Sequence, residues 1–147
     1  LLASKLSLVM SNKAEDGYNG ARVVQQGVLN TVSLRLDVTI MSGVEDGMRL
    51  TYSADNGDGV QEDDRWKVSI GRREDSDMCL RNDTFVSRQH AYLIWEGGRW
   101  WLQDCDSTNG SYLEHDEADS KVKGTIPIGY GELFRIGHTW MRIDMTG

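Results

Sequence analysis

Between residues 32 and 40 every second residue is apolar: Val32, Leu34, Leu36, Val38 and Ile40. An alternation of period two over this length describes a strand with one buried face and one wet face. It cannot be laid on a helix of 3.6 residues per turn. The alternation resumes at Met48, Leu50 and Tyr52, after the turn Gly43-Val44-Glu45-Asp46-Gly47. Short apolar runs follow at 66–70, 78–80, 91–95, 99–103, 133–136 and 140–143, and Ile126 with Ile128 adds a further one. Gly97-Gly98 between two aromatic-rich runs is a hairpin turn. The chain has one Pro, no interior stretch with helical spacing and no internal repeat. About ten short strands punctuated in this way predict a β-sandwich or barrel.

A chain of 147 residues suits one domain with its own core, and 39% hydrophobic with 27% charged residues is the composition of a soluble globular protein. It begins at Leu1, so it is expected to be a fragment of a longer chain. No apolar run approaches the ~18 residues a membrane helix needs. Leu6-Ser7-Leu8-Val9-Met10 is too short for the core of a signal peptide. No membrane contact is expected. Cys79 and Cys105 make neither a disulfide framework nor a Cys-x-x-Cys pair, which fits a reducing cytoplasm. The net charge of −7 argues against a nucleic-acid partner. Yet residues 65–101 carry net +2, between flanks of −5 and −4. A local basic site on an acidic body suits a small anionic group.

That basic stretch holds two of three short motifs and the third follows it, each at a predicted strand end. Gly71-Arg72 closes strand 66–70, Ser87-Arg88-Gln89-His90 opens strand 91–95, and Asp106-Ser107-Thr108-Asn109-Gly110 follows strand 99–103. Loops at strand ends of a rigid scaffold are where binding groups sit. Two Arg, a Ser, a Thr and an Asn form a donor set suited to one phosphate and a peptide backbone. In their order and spacing these motifs resemble the forkhead-associated (FHA) domain family. The likeness extends to Val86 and Ala91 and, more weakly, to Gly131-Glu132-Leu133-Phe134-Arg135-Ile136-Gly137. It spans roughly residues 32 to 144.

The resemblance implies an all-β, FHA-like sandwich of about eleven strands with binding loops at one end. It implies a module that binds a phosphothreonine-containing protein or peptide in Ser/Thr kinase signalling. Arg72, Ser87, Arg88 and Thr108 are then expected at the phosphate, and Asn109 on the peptide main chain. Gly71, His90 and Gly110 are expected to shape the site, His90 by bonding loop backbone. Arg73 and Arg81 are either supporting cations or solvated. The family's second Asn-Gly is absent; Tyr112-Leu113-Glu114-His115 stands there, and the acidic content of this loop suggests basic or polar ligand residues opposite it.

An enzyme is not expected. Ser87 lacks a Gly-x-Ser-x-Gly elbow, and His90, His115 and His138 lack metal-ligand spacing. No cofactor and no metal is implied. The Gly-rich acidic stretch 53–65 fails as a calcium loop, because the position that should be Glu falls on Arg65; it reads as a solvated insertion. Residues 111–124 read as a second acidic loop. The competing function is a phospho-independent structural or interaction module. Residues 1–30 are expected to be an extension or linker, and 31–147 the domain.

Overall fold

Strand β1 (Arg35–Ser42) carries the opening alternation: Leu36, Val38 and Ile40 are each 1% exposed, while Arg35 and Met41 face water. The computed structural model describes residues 34–43, 45–114 and 118–146. The expectations for residues 1–30, and the first residues of the alternation, lie outside them.

The described residues hold twelve strands and one 3₁₀ turn. After β1 come β2 (Arg49–Ser53), β3 (Val60–Glu62), β4 (Arg65–Gly71), β5 (Met78–Cys79), β6 (Ala91–Glu96) and β7 (Arg99–Asp104). Then follow β8 (Ser111–Leu113), β9 (Ser120–Lys121), β10 (Thr125–Ile128), β11 (Leu133–Ile136) and β12 (Thr139–Asp144). One sheet runs β9-β8-β11-β12-β1-β2 and the other β10-β7-β6-β4-β3, with β5 pairing β4. Every pairing is antiparallel except β4 with β5. This is the expected all-β sandwich.

The two inward faces make the core. Phe134, Ile136, Met141 and Ile143 come from the first sheet, and Trp66, Val68, Leu93 and Leu102 from the second. The buried Trp66 and Trp100 rings sit 5.9 Å apart and tilted. The tilted arrangement is one that aromatic quadrupoles favour.

Two loop expectations are corrected. Residues 53–65 are not one solvated insertion: they contain a 3₁₀ turn (Ala54–Asn56) and β3. Strand β3 was invisible because all three of its side chains are exposed, so it has no alternation. Backbone pairing with β4 holds it, Gln61 opposite Trp66. Its acids also work locally, Asp58 accepting from the Ser53 amide at 2.9 Å. Likewise 111–124 contains β8 and β9, the latter only two residues long.

Antiparallel pairing decides where the motif loops go. Ile70, Ala91 and Asp104 lie in register across β4, β6 and β7, so the chain leaves β4, enters β6 and leaves β7 at the same end. Ser111 of β8 lies in register with Ile136 and that with Thr139, which brings turn 137–138 to this end too.

Candidate functional site

Gly71, the last residue of β4, is buried where the backbone of the 80–90 loop crosses it. A Cβ there would overlap the Arg88 carbonyl oxygen and lie 2.9 Å from Ser76 Oγ. Only glycine lets these two backbones touch. The same approach lets the Arg72 amide donate to the Ser87 carbonyl at 3.1 Å.

Arg72 is exposed, and its Nε donates to the Val86 carbonyl at 2.9 Å. That bond fixes the plane of the guanidinium and leaves both Nη groups pointing onward. Among the described residues no carboxylate pairs with them. Arg73 and Arg81 differ: Arg73 lies 2.8 Å from Asp75 and Arg81 3.9 Å from Glu74. Arg88 is exposed and, among the described residues, unpaired.

Ser87 Oγ accepts from the Thr108 amide at 3.0 Å. Its own O–H therefore remains a donor. Asn109 Nδ2 donates to the Phe85 carbonyl at 3.0 Å, leaving its Oδ1 and second N–H for a ligand backbone. Thr108 and Asn109 are both exposed. Direct hydrogen bonds thus tie residues 72, 85–87, 108 and 109 into one surface.

His90 is wholly buried beneath that surface. Its Nδ1 accepts from the Ser87 amide at 2.9 Å, so the ring proton sits on Nε2 and is donated to the Gly110 carbonyl at 3.0 Å. Burial holds its pKa below the ordinary histidine value, outweighing the Gly110 carbonyl and Asp104, which favour the cation. Both ring nitrogens are occupied by backbone, so His90 is no base for the Ser87 hydroxyl. It joins the loop carrying Ser87 to the turn at Gly110. Gly110 turns the chain at φ +84, a conformation disfavoured for residues with a Cβ.

Two carboxylates escaped the sequence reading. Asp83, 6% exposed, accepts from the Phe85 amide at 3.0 Å, the His138 amide at 2.8 Å and Thr139 Oγ1 at 2.7 Å. It pins the loop carrying Ser87 to turn 137–138. The bond to the amide two residues on is an Asx turn, the one local signal that pointed to it. Asp104 accepts from the Ser107 amide and from the Ser107 and Ser111 hydroxyls. Burial acts to raise its pKa, but these bonds overcome it and the net shift is downward. Phe85, 45% exposed, stacks on His138 with ring centroids 3.9 Å apart.

Residues 68–137 match the model of the FHA domain, from mid-β4 to the turn after β11. Over 72 residues the chain is 39% identical to the FHA domain-containing protein FhaB of Mycobacterium tuberculosis, covering 49% of this chain and 43% of that protein. Over 74 residues it is 42% identical to the glycogen accumulation regulator GarA of Mycolicibacterium smegmatis, covering 50% and 43%. The chain thus spans less than half the length of these relatives. A structure from work on phosphothreonine-dependent FHA domain interactions superposes with a TM-score of 0.56 at 26% identity, over 78% of this chain and 99% of that one. The FHA domain of FhaA, solved with the intracellular domain of Rv3910, gives 0.52 at 25% identity, over 74% and 98%. With the motifs at the strand ends, the family match across them and the shared sandwich, residues 68–137 of the chain belong to the FHA domain family.

Proposed function

We propose that this domain binds phosphothreonine-containing segments of partner proteins and so joins proteins in a phosphorylation-dependent way in Ser/Thr kinase signalling. The observation that carries this is the Arg72 side chain, anchored through Nε to Val86 while both Nη groups stay unpaired among the described residues. A phosphothreonine brings about −1.5 to −2 charges and three strong acceptor oxygens. The Arg72 fork, the Ser87 hydroxyl and the neighbouring Arg88 meet them, with Thr108 beside the phosphate. Asn109 holds the ligand main chain in register.

About four charge-assisted hydrogen bonds at ~1.5–3 kcal/mol each, less several kcal/mol of association entropy, put affinity near the micromolar range. That strength suits reversible signalling. The related FHA domain named for phosphothreonine-dependent interactions supports the same ligand class. The absence of a base for Ser87 supports a binding role over catalysis. The domain is taken as residues 31–147, with 1–30 an extension or linker. Its unpaired cysteines fit the cytoplasm.

The test is fluorescence anisotropy with degenerate phosphothreonine, phosphoserine and unphosphorylated peptide pools, repeated with Arg72→Ala. Binding confined to the phosphothreonine pool and lost in the variant is expected. Equal binding to all pools, or none to any, would replace this reading with a phospho-independent module.

A further inference from the structure

On the outer face of the first sheet a row of side chains starts at the binding loop and runs away from it. Tyr112 lies directly opposite Lys121 on one side and Arg135 on the other, and Arg135 lies opposite Trp140. Directly opposed residues in antiparallel strands share a face. The row therefore reads Lys121, Tyr112, Arg135, Trp140, across β9, β8, β11 and β12.

Its first two members border the site: a Cβ on Gly110 would lie 3.0 Å from Lys121 Cε and 3.1 Å from the Tyr112 ring. Arg135 lies over both aromatic neighbours, its guanidinium carbon 4.2 Å from the Tyr112 centroid and 5.5 Å from that of Trp140. Its Nη1 donates to the Gly137 carbonyl at 2.9 Å. The cation is thus held flat and in place.

Among the described residues its charge is not answered. Arg142 on the same face lies 2.7 Å from Asp144, and Arg35 lies 3.2 Å from Asp37. Among the described residues no carboxylate lies within ion-pair distance of Lys121 or Arg135. Among the described residues this basic strip has no carboxylate partner, in a chain of net charge −7. Tyr, Trp and Arg in contact are also the side chains that dominate binding energy at protein interfaces.

We propose that this strip docks an acidic segment of the phosphorylated partner, flanking the phosphothreonine held by Arg72 and Ser87. The proposal rests on the phosphothreonine reading and extends its site. The strip is continuous with the site through Gly110, and its charge is opposite to that of Asp and Glu side chains. Arg135 offers one guanidinium edge and two aromatic walls, and Lys121 an exposed side chain that passes Gly110. This preference runs against the one suggested by the acidic composition of residues 111–124. Of that stretch, the charged side chain placed against Gly110 is Lys121, beside the Tyr112 ring.

The test is anisotropy on the whole chain with matched phosphothreonine peptides. One has neutral flanks, one a run of Asp and Glu before the phosphothreonine, and one the same run after it. One acidic peptide should bind about three- to tenfold tighter than the neutral one at low salt, the range for two partly exposed ion pairs. The gain should shrink as salt rises. Lys121→Glu and Arg135→Gln should abolish it without weakening the neutral peptide, and Arg135→Lys should keep part of it. Exposed Lys121 keeps the test readable should Arg135→Gln fail to fold. Acidic peptides binding no tighter than the neutral one, or a gain that survives both variants, would overturn the docking strip alone. Failure of every phosphopeptide to bind would overturn the phosphothreonine reading and the strip with it.

Discussion

Gly71 and His90 both shape the loop that carries Ser87 and Arg88. The first makes room for the 80–90 backbone and the second ties it down. Gly71→Ala is expected to cost about 1–3 kcal/mol, the usual result of forcing a methyl into a filled space. Gly98→Ala is the control: its Cβ meets nothing within 4 Å, and only its φ of +77 resists, at roughly 1–2 kcal/mol. Urea denaturation of the two variants measures both costs, and only Gly71→Ala should also lower phosphopeptide affinity. For His90 the folded pKa lies below the unfolded value of about 6.5. The unfolded chain then binds the extra proton, so stability is full above that pH and declines as pH falls through it toward the folded value. Denaturation at stepped pH below neutrality should show this loss, and His90→Gln should remove that part of the slope. Asp104 and Asp144, both lowered, add a second loss at the acid end, as pH falls below the ordinary carboxylate range. These single-residue roles were partly legible in sequence. His90 was expected to bond loop backbone, whereas the close approach at Gly71 depends on a strand crossing that no local pattern encodes.

At the level of the element, the loop between β5 and β6 owes its shape to the bonds that its own Asp83 makes to Phe85 within the loop and to turn 137–138 and Thr139 outside it. Asp83→Ala would leave two amides and a hydroxyl without their acceptor. The expected cost is on the order of 3 kcal/mol. Hydrogen exchange should report it as faster exchange at Phe85 and His138, with weaker phosphopeptide binding because Ser87 and Arg88 ride on the same loop. Strands with a buried face were readable: β4, β6, β7, β11 and β12 lie within a residue of the short apolar runs that announced them. Strand β3 was not, because pairing along a backbone leaves no mark when every side chain faces water. Nor did sequence place Asp83, whose partners His138 and Thr139 lie 55 and 56 residues away. The site motifs, by contrast, were legible because each sits at one end of a predicted strand.

For the whole molecule, ligand binding and folding should be linked. A phosphopeptide that binds only the folded domain should stabilise it by about 2.7 kcal/mol at a hundred times its Kd. Thermal melts with phosphorylated and unphosphorylated peptide would show it as a rise in Tm for the first alone. The connectivity of the first sheet also bears on timing. Strand β1, first among the described strands, pairs with β12, the last, and Thr39 bonds Asp144 across 105 residues. Turn 137–138, which anchors Asp83, is the bend between the last two strands. During synthesis, Arg72, Ser87 and Asn109 emerge well before that anchor exists. A nascent chain carries all of the proposed recognition residues yet lacks the clamp that holds their loop, so the proposed competence to read a phosphate would arrive late and mark a finished fold.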